Sequence, residues 1–263
     1  MRTVGEIAGD LAALGVKHGD AVMVHASLRK IGPVKGGPGG VIGALDAAVG
    51  PNGGWMMVLG AKNEWDWVNE QPEAERAKLL VNAAPFDPLV TEAEEDVGHL
   101  AEAMRQYPGT LVSENPEGRF GARGGLAATL LRNPPWDDYY GHGSPLQHLC
   151  DRAGSVLRLG ADPDTVTLLH HAEYLVPLAE KRRVVRHRRV VGTDGPVVRK
   201  VRCLDDSRGI VEWAGEDYFA TILKTYLAEG RGAQGRVGRA ASELLDARDL
   251  VAFGVDWMAR HFV

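Results

Sequence analysis

The sequence predicts an α/β fold: a mixed, largely parallel central sheet flanked by helices. Three observations predict it. Short apolar runs recur at residues 21–25, 55–60 and 155–160 with almost no polar alternation, the pattern of strands buried on both faces. Segments with helical spacing lie between and after these runs. Glycine- and proline-rich turns separate the two kinds of segment.

Each element has its own local warrant. Thr3 opens a helix in which Val4, Ile7, Leu11 and Leu14 share one face, and Gly15 ends it. Asp20 leads into the first strand, residues 21–25. A glycine-rich loop, 32–40, precedes a helix over 41–49, and Gly50-Pro51-Asn52-Gly53-Gly54 closes that helix before the strand at 55–60. Residues 62–84 are polar, bear tryptophans and lack a period, so they read as an excursion over a pocket. Residues 96–106 have a helical pattern, 110–119 read as extended, 124–131 as helical and 134–143 as a loop. The strand at 155–160 ends in a turn before a helical segment at 168–178. Valine alternates with arginine or histidine within 181–202, which predicts a half-exposed hairpin turning at Gly192-Thr193-Asp194-Gly195. A helix at 217–229 and a strand–helix finish over 242–261 complete the chain. One domain is expected over 1–263, with smaller insertions around 62–95 and 181–216.

Composition narrows the function. The chain is 44% hydrophobic and 25% charged, as in globular proteins with a sizeable core. A formal net charge of −5 argues against a nucleic-acid binder. It suits a cationic ligand, and equally a protein that simply stays soluble. Two cysteines, Cys150 and Cys203, make no disulfide framework, so a reducing cytoplasm is the expected home. No apolar run reaches membrane-spanning length and the N-terminus lacks the features of a signal peptide, so no membrane association is expected.

Two stretches carry candidate chemistry. In Thr167-Leu168-Leu169-His170-His171-Ala172-Glu173, His170 lies in the first turn of a helix with Glu173 on the same face. An imidazole so placed is a usable general base, although packing alone would also account for one of two adjacent histidines. Adjacent helical histidines point about 100° apart and make poor joint ligands, so no metal is expected. Cys150 sits in an apolar helical segment, where a thiol is usually inert. The second stretch runs from His25 through the glycine-rich loop. Its small residues, its backbone amides and Arg29, Lys30 and Lys35 could hold a pyrophosphate, or it could be an ordinary glycine loop. It is neither a Walker loop nor a dinucleotide fingerprint.

Taken in order, the motifs resemble the antibiotic N-acetyltransferase family, typified by aminoglycoside 3-N-acetyltransferases. The matching pieces are Val24-His25-Ala26-Ser27-Leu28-Arg29-Lys30-Ile31-Gly32, residues 36–45, Phe86-Asp87-Pro88, Val112-Ser113-Glu114-Asn115-Pro116 in part, Ser144-Pro145-Leu146, Leu157-Arg158-Leu159-Gly160, residues 167–173, Gly235-Arg236-Val237-Gly238 and residues 246–254. They span almost the whole chain, and their combination is specific where each alone is weak. Val112 and Asn115 depart from the family, which usually has Arg and His there; Arg119 or Arg123 is the expected replacement for the lost charge.

The resemblance implies the family's fold, with a cofactor and substrate cleft, and acetyl transfer from acetyl-CoA to the 3-amino group of a 2-deoxystreptamine aminoglycoside, conferring resistance. It implies direct attack with His170 as general base, oriented by Glu173 or by Glu212 from the later chain. Acetyl-CoA is expected against His25, Ala26, Ser27, Leu28, Arg29, Val34, Lys35, Ser113 and Phe120. A polycationic acceptor calls for carboxylates, with Glu64, Asp66, Asp137, Asp138 and Glu212 as candidates. Trp67 and Tyr139, with Trp65 and Tyr140, are candidates to cover sugar rings; solvated loop charge and core packing are the plainer readings of these residues. The chain is expected to be a monomer or homodimer. The alternatives are acetylation of a different small amine, or a non-catalytic CoA-binding relative.

Overall fold

The computed structural model describes residues 1–262. In chain order the elements are α1 (Val4–Leu14), β1 (Ala21–Ala26), α2 (Leu28–Ile31), α3 (Gly37–Val49), β2 (Gly54–Val58), α4 (Glu73–Leu79), α5 (His99–Gln106), β3 (Leu111–Val112), β4 (Phe120–Gly124), α6 (Ala127–Leu130), α7 (Pro145–Asp151), β5 (Ser155–Leu159), α8 (Leu168–Leu175), β6 (Arg183–Val190), β7 (Val197–Leu204), α9 (Tyr218–Ala228), β8 (Ala233–Val237), β9 (Ala240–Asp246) and α10 (Ala247–His261). Among the described residues no helix is long and apolar enough to cross a membrane.

Seven strands form one sheet in the order β3-β4-β2-β1-β5-β9-β8, and β6 and β7 pair separately. The sheet is mixed, as expected, but its parallel part is confined to the centre, where β1 lies between β2 and β5. The outer pairs, β2–β4, β3–β4, β5–β9 and β8–β9, are antiparallel, which corrects the expectation of a largely parallel sheet. The three parallel strands are the three apolar runs. The antiparallel ones carry more glycine and polar residues, because they lie toward the sheet edges.

Both faces are covered. Strand side chains alternate, so Val22, Val24, Trp55, Met57, Leu157 and Leu159 face one core with α1, α3 and α5, while Met23, Met56, Phe120 and Val156 face the other with α7 to α10. Each such fully buried side chain contributes roughly 1.5–3 kcal/mol of transfer free energy. α1 is fixed by a capping box: Glu6 N–H donates to Thr3 Oγ1 and Thr3 N–H donates to Glu6 Oε2.

Other local expectations shift. α3 begins at Gly37 rather than at residue 41, because Gly36 in the left-handed region caps it and Pro38 suits its first turn. Part of the glycine loop is thus helix, and Gly40 has a packing reason to be glycine: a Cβ there would lie 2.1 Å from Lys35 O. Within 110–119 only Leu111–Val112 pairs as strand, and the glycine-containing strand Phe120–Gly124 stands where the sequence suggested extended chain turning into helix. α8 stops at Leu175, ahead of Pro177. The hairpin forms as expected, with Val190 opposite Val197 across the predicted turn.

Candidate active site

The centre of the site is the start of α8. His170 and Glu173 are three residues apart, and His170 Nδ1 lies 2.7 Å from Glu173 Oε2. Glu173 is buried, and its other oxygen, Oε1, accepts from the Tyr218 hydroxyl at the start of α9. The carboxylate therefore holds the proton on Nδ1 and leaves Nε2 as the basic nitrogen. Tyr140 stacks on the imidazole at 5.0 Å and an interplanar angle of 9°, and Phe219 meets it edge-on at 4.7 Å. Burial pushes the imidazole pKa down, but the charge and hydrogen bond of Glu173 outweigh this, so His170 stands above its ordinary value. His171 points elsewhere: it is buried and bonded through Nδ1 to Tyr140 O at 2.9 Å.

Two clefts meet near this imidazole. One, of about 570 Å³, lies at the carboxyl ends of β1, β2 and β5, and is lined by Val24 to Arg29, Met57 and Val58, and the 161–167 turn. The chain crosses over at β1, with β2 on one side and β5 on the other, so this is a topological switch point, where open α/β sheets bind ligands. His25 Nε2 is buried here with no hydrogen-bond partner among the described residues, and burial beside Arg158 holds the ring neutral with a pKa of about 3. The second cleft, of about 480 Å³, contains His170, Tyr140, Asp66, Glu94, Asp96, Glu117 and Asp206 together with Arg186 and Arg188. The two share Val58, Asp96, Val97 and Thr167. A smaller hollow of about 230 Å³ lies beside His170, among Asp206, Trp213, Asp217 and Tyr218.

A family model described as Aminoglycoside 3-N-acetyltransferase matches residues 23–259. The chain belongs to the aminoglycoside 3-N-acetyltransferase family. It is 41% identical over 261 residues to aminoglycoside N(3)-acetyltransferase VIII of Streptomyces fradiae, covering 97% of this chain and 91% of that protein. The solved structure of AAC-IIIb in binary complex with CoASH matches with a TM-score of 0.91 at 39% identity, covering 98% of this chain and 96% of that one. AAC-VIa bound to sisomicin matches with a TM-score of 0.88 at 34% identity over 99% of both chains.

Within this acetyltransferase frame, the residues singled out from sequence divide clearly. His25, Ala26, Ser27, Leu28 and Arg29 line the switch-point cleft together. Val34 and Lys35 do not: Val34 is packed in the core, and the exposed Lys35 gives its N–H to Arg2 O. Phe120 is fully buried in β4, and Ser113 Oγ accepts from Phe120 N–H at 2.8 Å while lining a different groove. Of the two carboxylates considered for His170, Glu173 makes the bond. Glu212 is almost fully exposed and pairs with Arg182 at 2.7 Å. Asp66 lines the acidic cleft, whereas Glu64 lines a neighbouring groove and Asp137 and Asp138 are tied to Arg202 and Arg183 of the hairpin. Trp67 is exposed and stacks on Trp65 at 6.0 Å. Tyr139 is a buried support rather than a cover, its hydroxyl donating to Asp206 at 2.5 Å.

Sequence reasoning missed Glu94, Glu117, Asp206, Tyr218, Phe219, Arg186 and Arg188. Most sit in turns or on the hairpin, where no period marks an inward side chain. The Asn115-Pro116 dipeptide ahead of Glu117 and the Asp205-Asp206-Ser207-Arg208-Gly209 cluster are turn signals, but neither shows which side chain faces inward. Neither Arg119 nor Arg123 lines either cleft. Arg119 is buried under the 60–94 strap and Arg123 pairs with Asp46 at 2.6 Å. Cys150 is pushed up to about 12 by burial, far from a reactive thiolate.

Proposed function

We propose that this protein transfers the acetyl group of acetyl-CoA to the 3-amino group of a 2-deoxystreptamine aminoglycoside, by direct attack within a ternary complex, and thereby confers resistance. The observation that carries this reading is the Glu173-held imidazole of His170 in an acidic cleft that shares Val58, Asp96, Val97 and Thr167 with the switch-point cleft. The CoASH bound by one relative and the sisomicin bound by another support a CoA thioester as donor and an aminoglycoside as acceptor. The switch-point cleft fits an elongated nucleotide thioester. His25 Nε2 lacks a partner there among the described residues, Arg29 supplies positive charge, and the first amides of the turn at Leu28 and Arg29 have no intrahelical acceptor.

Acetyl-CoA supplies an acyl group activated as a thioester. The acidic cleft gathers the ammonium groups of the acceptor. His170 Nε2 removes the proton that would block the reacting amine, a contribution of roughly 10²–10⁴-fold in rate. A C–N bond then forms as the C–S bond breaks, and the nitrogen gives up a second proton through the same base; of the two protons one ends on the departing sulfur and the other in solvent. Glu173 stabilises the imidazolium that exists in between, and Tyr218 holds Glu173.

The test is free-thiol release from acetyl-CoA with a panel of deoxystreptamine drugs, followed by mass mapping of the product. Release with acetylation at the 3-amino group is expected. No release with any drug would overturn the reading and leave a different amine acceptor or a non-catalytic binder.

A further inference from the structure

Of the five carboxylates in the acidic cleft, Glu117 stands apart in its bonding. It is delivered by a rigid turn: Asn115 Oδ1 accepts from the N–H groups of Glu117 and Gly118, and Asn115 Nδ2 is anchored on Trp136 O at 2.6 Å. Gly118 sits against the Tyr139 ring so closely that a Cβ would fall 2.5 Å from Cδ2. The Glu117 side chain is only 10% exposed, and its buried Oε1 has no hydrogen-bond partner among the described residues. Arg188 Nε lies 3.5 Å from Oε1 and Arg186 Nε 3.7 Å from Oε2, distances that give charge attraction without a hydrogen bond. Both guanidiniums bond elsewhere. Arg186 donates to Asp206, Ser207 and the Tyr139 hydroxyl, and Arg188 to Ala61 O.

This leaves the cleft with an asymmetry. Asp206 is already covered by Arg186 and Tyr139, so little of its bonding capacity remains. Burial raises the Glu117 carboxyl above its ordinary pKa and Arg188 and Arg186 oppose that shift, while Oε1 keeps no hydrogen-bond partner among the described residues, a costly arrangement for a buried group. An ammonium has three donors and would satisfy it. Arg188, beside the same oxygen, is a fixed like charge that opposes any such cation.

We propose that Glu117 and Arg188 set the charge selectivity of the acceptor site: Glu117 Oε1 receives a second, non-reacting ammonium of the acceptor, and Arg188 limits how strongly polycations are held there. The inference rests on the cleft being the acceptor site of an acetyltransferase. It is tested by steady-state kinetics of Glu117→Gln and Arg188→Gln at saturating acetyl-CoA. Glu117→Gln is expected to raise the aminoglycoside KM about 10-fold or more, the scale of a lost hydrogen bond to a charge, with kcat within about 2-fold and the acetyl-CoA KM unchanged. Arg188→Gln is expected to move the aminoglycoside KM the other way, several-fold downward. A merely structural pair would send both constants upward together, and that result, or an unchanged KM in Glu117→Gln, overturns the proposal. Should Glu117→Gln fail to fold, Arg188→Gln decides alone: a lower KM supports the proposal, and an equal or higher one overturns it. Wild-type protein that acetylates no aminoglycoside would instead overturn the functional reading beneath it.

Discussion

In the proposed reaction His170 serves as a directed base because one of its two nitrogens is committed. Glu173 takes Nδ1–H, Tyr218 locks Glu173, and Tyr140 and Phe219 fix the ring plane, so the basic nitrogen has one orientation. Replacing His170 by Ala is expected to lower kcat by about 10²–10⁴-fold with KM values within a few-fold, measured by thiol release. Glu173 also raises the pKa of His170, and only the neutral ring can accept a proton. The acid limb of kcat/KM should therefore lie above the ordinary imidazole value of 6.5. In Glu173→Gln the charge that favours imidazolium is gone and burial remains, so the limb should move to lower pH while the maximum rate falls. A limb that stayed in place would remove Glu173 from the role. This dyad was legible in the sequence because a spacing of three on a helix places two side chains together. The competing carboxylate, Glu212, lies in irregular chain, where spacing carries no such information.

At the scale of elements, the strap over residues 60–94 carries acid side chains to the cleft and needs a fastener. Arg119, fully buried at the start of the β4 region, provides it by donating to the carbonyls of Gly60, Pro88, Thr91 and Glu92. Its acceptors are all neutral carbonyls, and burial brings its pKa down to about 10. Replacing Arg119 by Met strands these carbonyls and should cost about 2–4 kcal/mol in urea unfolding, while raising the acceptor KM through Asp66 and Glu94. Gly60 is the strap's other constraint. Its φ is +55°, and a Cβ would lie 2.7 Å from Glu94 Cβ, so Gly60→Ala should both strain the backbone and displace Glu94. The sequence shows this region only as aperiodic and polar. Its order comes from contacts to a residue 25 or more positions away, which local pattern does not encode.

At the scale of the whole molecule, the sheet also carries half-buried titratable groups to the cleft at its strand ends. His25, at the end of the central strand, is held neutral with a pKa of about 3 against an ordinary 6.5. The unfolded chain takes up that proton first, so this group's contribution to stability is present above about pH 6.5 and is lost as pH falls toward 3, by at most about 1.4 kcal/mol per unit. Denaturant unfolding between pH 7.5 and 5 should show this decline, and His25→Asn should flatten it.

The sequence by itself determined the three parallel strands, the helices around them, the family, the His170–Glu173 pair and the His25–Arg29 turn. Each of these is written in a period or a run of adjacent residues. Only the tertiary structure decided the antiparallel flanks, which carboxylates face the cleft, and that arginines from the hairpin stand among them. The physical reason is that inward orientation in turns and hairpins is set by packing against distant chain, while a helix or buried strand sets its own faces locally.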